Sequence, residues 1–569
     1  MGPRNGQRTP RALLVVTMVV TAAAALAVAP PVGAHGDAAA RAASTVTEAE
    51  VNPSGRITGL EVPVQTIDGT AGLDAQPTPR AECGPGSHPE TGAQGRVPRS
   101  EVESGRAAEG YWCNAELVSH VGQTGGYKVE RYVDTSGNEC AYYDTTLLFP
   151  ANVINLSGGD LTGVAVLDMS DPSEPVKTTT LVSPAMQSPH ESLVLNQERG
   201  LLAAVTANPI YYPGIVDIYD LTEDCRQPTL KASAAVGVLG HESGFAPDGN
   251  TLYISSLSGR TVTAIDVSDP TVPLPLGIYD FNSHGINLSD DGNRLYMAAN
   301  GNESSNSPKG LLVLDVSEIQ SREPNPTVEV LSRSTWALVS TPQINVPVTI
   351  DGHPYLVEMD EFRGSEERVG AARIIDIADE TAPVIVSDIR LEVNQAEAHR
   401  GEQADDPGTG SLQNYTGHYC DVPSRVDPGI VACTFILSGL RVFDIRDPAQ
   451  PREIAYFNGP INASAAPVSE GAYAMASPSF APERREIWYS DGNSGFYAVR
   501  LTNGVWDPPE ALAADAATPT AAPSDGAPPR SQIPATGAVL PVLAGLAAAG
   551  AALGLRRLER RSTCRQSGS

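Results

Sequence analysis

Lysine is nearly missing from this chain: Lys128, Lys177, Lys231 and Lys309 are all there are in 569 residues. Basic residues total 38 against 67 acidic ones, a formal net charge of −29. Both ends are basic, so the stretch between them is more acidic still. A surface of that sign repels nucleic acid and anionic lipid, which excludes both as partners and favours a soluble, monomeric protein. Aromatic residues make up only 5%. No CxxC occurs, so a zinc ribbon or thioredoxin-like site has no basis. GxSxG, P-loop, HExxH and EF-hand signatures are absent too. Asp290-Asp291-Gly292-Asn293 lacks the acidic spacing of a calcium loop and reads as a turn. Long apolar runs are found only at the two ends.

Residues 1–34 read as a secretory signal peptide. Arg4, Arg8 and Arg11 precede the apolar stretch Ala12–Ala29, and Val32-Gly33-Ala34 gives the small-residue cleavage pattern. Residues 35–110 are rich in Gly, Pro and Ala and read as a mostly irregular lead-in. Residues 506–532, rich in Ala, Pro, Ser and Thr, read as an extended stalk. The remainder, 533–569, holds IPATG (Ile533–Gly537), the apolar run Ala538–Leu555 and then Arg556, Arg557, Arg560 and Arg561.

What the chain has in abundance is one repeated strand. GLRVFDIRDPAQPREIAYF, from Gly439 to Phe457, is a β-run, an Asp-Pro turn and a second β-run. Copies begin at Gly163, Gly214, Arg260, Gly310 and Ala371, and a shorter one at Gly495. Their aligned positions are Asp168, Asp220, Asp266, Asp315, Asp376, Asp444 and Arg500. Upstream of most copies lies a strand pair with a tight turn, as in FAPDGNTLYIS from Phe245 and LSDDGNRLYMA from Leu288. Asp-Gly there supplies the positive φ that a hairpin needs. Four short strands per unit and seven units predict an all-β, seven-bladed β-propeller over residues 111–505, its blades numbered here in chain order and their strands A to D from the hub outward. The last unit stops after strand C, near Leu501. Tyr127–Val133 is the segment expected to supply its missing strand and close the ring. The repeated aspartates are expected to bond neighbouring backbone rather than to catalyse.

These copies resemble the LVIVD-repeat proteins, over roughly residues 111–505, and the resemblance implies a propeller without implying an activity. The blade pattern is also distantly similar to the selenium-binding protein and methanethiol oxidase group, which use propeller histidines. The C-terminal order of IPATG, apolar run and arginines resembles the LPxTG wall-sorting signal, with Ile533 in place of Leu. That resemblance implies a sortase partner, cleavage between Thr536 and Gly537, and attachment to the cell wall. The alternative is a plain membrane anchor, for which eighteen apolar residues suffice as a transmembrane helix.

Of seven cysteines, Cys564 lies beyond the sorting motif. The other six would sit in an oxidising compartment, where an even count favours disulfides. Cys420 and Cys433 flank one A–B hairpin and should pair. The A–B and C–D connections of a propeller emerge on one face, so Cys140 can meet Cys225, leaving Cys83 with Cys113. Cys113 with Cys140 is the sequence-local alternative.

One constellation carries candidate chemistry. His190, His241, His284 and His418 each open the innermost strand of a blade, and His120 is placed to do so in the first. Innermost strands line the axial channel and start on one face, so these imidazoles should converge. Converging neutral imidazoles suit a first-row transition metal, the one cofactor the sequence suggests. Glu191 and Glu242 could orient rings or add oxygen ligands. Blades five and seven carry Pro342-Gln343 and Ala476-Ser477 instead. His353, in a hairpin turn, is expected merely to be exposed. Two readings of function compete ahead of a plain wall component. One is a surface-displayed binding module with an unidentified ligand. The alternative is a metal-binding propeller, whose enzymatic form would be an oxidoreductase using the channel histidines.

Overall fold

The computed structural model describes residues 55–68, 76–146, 162–256, 260–301, 306–362, 369–399, 402–407, 414–461 and 470–507. The signal-peptide segment, the stalk beyond Asp507 and the sorting motif with Thr536 and Gly537 lie outside these residues. So does the run Ala538–Leu555. Among the described residues, no helix is long and apolar enough to cross a membrane.

Seven antiparallel sheets, each four strands deep at its core, form the seven blades of a β-propeller. Blade one is Val129–Val133, Glu139–Asp144, Val164–Asp168 and Val176–Leu181, from hub to rim. Blades two to six repeat that order, with innermost strands Val194–Asn196, Ser243–Phe245, Ser283–Leu288, Thr341–Ile350 and Gly417–Asp421. The sequence alternates with period two, and the layers between neighbouring sheets are filled accordingly. Leu202, Ala204, Val164 and Val166, for example, pack in one cluster between blades one and two.

Ring closure corrects one expectation. Tyr127–Val133 does not complete blade seven, because Val129–Val133 is the innermost strand of blade one. The outer strand of blade seven is instead Ala115–Val121, antiparallel to Gly495–Leu501, with Tyr497 opposite His120. The same pairing corrects the placement of His120. It lies on the rim strand, where its Nε2 sits 2.6 Å from the Ser494 carbonyl, far from the channel.

The repeated aspartate has one structural task. In six blades its Oδ1 accepts the backbone N–H two residues on: Asp168 from Ser170, Asp220 from Thr222, Asp266 from Ser268, Asp315 from Ser317, Asp376 from Ala378 and Asp444 from Arg446, all at 2.9–3.0 Å. Such a bond fixes the turn out of strand C. Just before that residue, every C–D pairing carries a register shift, from Val166/Leu167 in blade one to Ala498/Val499 in blade seven. A bulge there adds twist, and its recurrence places Arg500 in register with the aspartates.

The lead-in runs along the outer rim. Arg56–Thr58 and Val64–Thr66 pair parallel with the outer strand of blade four, Thr327–Thr335. Ile67 then exchanges backbone bonds with Thr335 and Ile385, and Tyr111–Cys113 adds a fifth strand to blade six. Three disulfides form: Cys83–Cys113, Cys140–Cys225 and Cys420–Cys433. Cys140 and Cys225 join the A–B side of blade one to the C–D turn of blade two, and the alternative Cys113–Cys140 is thereby ruled out.

Candidate metal centre

The inner strands begin on one face, and there the repeat position is filled in turn by Tyr127, His190, His241, His284, Gln343, His418 and Ala476. The rings of Tyr127 and His190 stack with centroids 4.5 Å apart. His190 and His241 are 4.5 Å apart and His241 and His284 4.2 Å, while Tyr127 also lies 5.6 Å from His418. An arc of five aromatic rings thus surrounds the channel axis. Its short spacing follows from the blade geometry, since neighbouring inner strands meet at the hub. All four predicted histidines are brought together.

Inside the arc, donor atoms close into a belt. His241 Nε2 is 2.9 Å from His284 Nε2 and 3.1 Å from Glu191 Oε2. His284 Nε2 is 3.1 Å from Glu361 Oε1. His418 Nε2 lies 3.3 Å from both Glu191 Oε1 and Glu361 Oε2. Glu191 therefore reaches from blade two across the axis, and Gln343 Nε2 donates to its Oε2 at 2.9 Å. His190 stands beside the belt, its Nδ1 buried and without a hydrogen bond. Two groups, His190–Glu191–His241 and Glu191–Glu242–His284, each offer ligand atoms within 4.8 Å of one another.

The tautomers leave this arrangement two ways to balance its charge, a second proton on His418 or a bound cation. His418 Nδ1 is 2.7 Å from the Met475 carbonyl, which can only accept, so Nδ1 carries the proton. In neutral imidazole the Nε2 lone pair then faces two carboxylates, an arrangement that holds only with a cation between them or a second proton on the ring. Likewise, only one of the Nε2 atoms of His241 and His284 can donate across their contact. Burial penalises charge on His418, but Glu191 and Glu361 outweigh it and raise its pKa to about 9. His284 is raised likewise, by Glu361 and Glu191 against burial. Burial also works against the carboxylate charges, yet the histidines hold Glu191 well below the usual range and lower Glu361 too. His190 behaves oppositely: burial and the nearby His241 push it down to about 3, so it stays neutral with a free lone pair. A belt with two carboxylates and three imidazoles is matched in charge by one divalent ion.

The belt is not equally open around its edge. The His241 side chain keeps 18% of its surface exposed, against 2% for His284 and 1% for His418. His190 is also partly exposed, so the His190–His241 side is where an outside ligand would enter. Below the belt, Lys128 Nζ donates to Glu242 Oε1 at 2.6 Å and lies 4.2 Å above the Tyr419 ring. Glu242 is held by Lys128 rather than by a histidine, and burial raises its pKa to about 7.

Glu361, Tyr127 and Lys128 escaped the sequence reading, which placed Gln343 at the repeat position of blade five without giving it a role. A signal for Glu361 does exist in VEMDEF, Val357–Phe362, where three acids sit in one buried strand. Arg373 pairs with Glu358 and Asp360, which leaves Glu361 to the histidines. His353, expected to be merely exposed, lies 2.8 Å from Asp376 in its own blade and takes no part in the centre.

Comparisons with known proteins add the fold alone. No family model and no curated protein matches the sequence. Among solved structures, U3-55K is similar at 10% identity and a TM-score of 0.42, over 68% of this chain and 98% of that one. The Pseudomonas aeruginosa periplasmic gluconolactonase PpgL is similar at 12% identity and a TM-score of 0.42, over 61% and 94%.

Proposed function

We propose that this propeller holds one first-row transition-metal ion at its axis, liganded by Nε2 of His241, His284 and His418 and by Glu191 and Glu361, with His190 beside the open position. The observation that carries this reading is the 2.9 Å separation of His241 Nε2 and His284 Nε2. Two nitrogens at adjacent vertices of an octahedron, each about 2.0–2.1 Å from a shared ion, stand about 2.9 Å apart. Imidazole and carboxylate together suit iron, manganese, copper or zinc rather than a soft, thiolate-seeking ion. With an ion of variable valence the open His190–His241 side gives an oxidoreductase, in keeping with the histidine-using propellers that the blade pattern resembles. A plain binding platform requires no such belt and ranks second.

Metal analysis of the purified protein tests this directly. About one equivalent is expected in the wild type and less than about 0.1 in His241→Ala. A wild-type protein that neither carries metal nor takes up added zinc, copper, iron or manganese overturns the reading.

The signal-peptide pattern and the sorting-like C-terminus support a location outside the cell. We propose export followed by sortase-mediated wall attachment at Thr536. Release of the full-length chain by detergent alone would favour the membrane anchor instead.

A further inference from the structure

Beneath the Lys128–Glu242 contact the channel widens into a chamber of about 500 Å³. Its walls are the remaining lengths of the inner strands, and its mouth lies on the face opposite the histidines. Glu130, Glu242 and Asp421 line it, with Phe245 on one wall. Against these three carboxylates stands one ammonium, Lys128. The other cation, Arg425, is engaged at the mouth. Its guanidinium donates to the Leu288 carbonyl at 2.8 Å and to Asn287 Oδ1 at 3.2 Å. It also lies 3.4 Å from Asp290. Val426 pairs with Thr349, so the Ser424–Asp427 segment straps across from blade six over blade five to blade four and narrows the opening.

The acids are short of donors. Glu242 is 1% exposed, and its Oε2 has no hydrogen-bond partner. Asp421 accepts only the neighbouring Val422 N–H, at 2.8 Å. Burial pushes the Glu130 carboxyl up to about 8 and that of Asp421 to about 6, a cost that a cation in the chamber would remove. The volume falls in the range of small-molecule sites, roughly 300–1,000 Å³. Among the described residues, the groups of ligand atoms close enough for a metal are all built on Glu191 and the histidines, and of the chamber's acids only Glu242 joins one. Spread carboxylates and an aromatic wall suit an extended cation rather than a metal ion, since an ammonium or guanidinium can lie over Phe245 while its ends reach acids.

We propose that this chamber is a second site, for a small organic cation bearing amine or guanidinium groups, held by Glu130, Asp421 and Glu242 and faced by Phe245. Glu130, Asp421 and Phe245 belong to the chamber alone, whereas Glu242 borders both sites, since it also offers a ligand atom within 4.8 Å of those of Glu191 and His284.

Calorimetric titration of the purified protein with agmatine and putrescine, with glutarate as the anionic control, tests the proposal. Both metal-loaded and metal-stripped protein are used, which keeps failure of this site distinct from failure of the metal centre. Saturable amine binding is expected in both forms, with none for glutarate. Binding should weaken at least tenfold in Glu130→Gln/Asp421→Asn while metal content stays unchanged. Phe245→Leu serves as a second variant, expected to weaken agmatine if the double variant does not fold. Absence of amine binding, preference for glutarate, or affinities that none of these substitutions changes would overturn it.

Discussion

His241 Nε2 and His284 Nε2 stand 2.9 Å apart on adjacent blades, with Glu191 Oε2 3.1 Å from the former. Two neutral imidazoles can share this contact through one proton or one metal ion. The two cases differ in what a substitution does. Loss of a metal ligand costs more than loss of an outer-sphere partner, whose removal typically weakens metal affinity 10–100-fold. His241→Ala and His284→Ala should each weaken it by about 100-fold or more. The double variant should bind more weakly than either single one, because each substitution takes a further donor from the same ion, though the two losses need not add. Competition with a chromophoric chelator measures this.

Glu361 gives a sharper test because Gln keeps its shape and removes its charge. Its two oxygens lie near His284 Nε2 and His418 Nε2 at 3.1 and 3.3 Å. Glu361→Gln, which leaves a neutral oxygen where the proposed ligand carries charge, should weaken metal binding by about 100-fold or more, beyond the loss typical of an outer-sphere partner. In metal-free protein it should also lower the pKa of His418, which Glu191 and Glu361 raise. Imidazole NMR titration reads that shift, and an unchanged His418 would exclude Glu361 from the belt.

The blades were legible because their signals are local and recur. A strand and a turn recur seven times, six of them with a bonded aspartate, and period-two alternation orients the side chains. The histidines were legible for the same reason, since one repeat position implies one place on the hub. Glu361 comes from the far end of a second strand, in a blade whose repeat position is Gln343, so no repeat announces it. The closing strand was misassigned for a different reason. Ala115–Val121 and Tyr127–Val133 both read as short β-runs, and only pairing with Gly495–Leu501, at the other end of the propeller, separates them.

The disulfides should contribute unequally. Cys140–Cys225 closes a separation of 85 residues between two blades, whereas Cys420–Cys433 closes 13 within a hairpin already held by its ladder. Restricting the unfolded chain matters more for the longer loop, and removing a native disulfide typically costs about 2–5 kcal/mol. Cys140→Ser/Cys225→Ser should sit near the upper end of that range and Cys420→Ser/Cys433→Ser near the lower. Chemical denaturation of both variants checks the order.

Stability should also fall with rising pH through Asp144. This carboxyl is fully buried at the end of strand B in blade one, and its Oδ2 has no hydrogen-bond partner. Thr146 donates its N–H and its hydroxyl to Oδ1, at 2.8 and 2.6 Å. Burial outweighs those two bonds and raises the pKa from 3.8 to about 8. A raised acid pKa means that the folded state holds its proton where the unfolded chain has lost it. The contribution is therefore complete below about pH 4, declines from there to about pH 8, and is absent above. Asp144→Asn keeps an Oδ1 acceptor for Thr146 and never ionises. Compared with wild type, the variant should be nearly neutral at about pH 4 and clearly stabilised at pH 9. Paired denaturation curves at the two pH values measure the difference. An equal effect at both would mean that Asp144 is ionised and compensated throughout, and that burial at this strand end imposes no penalty.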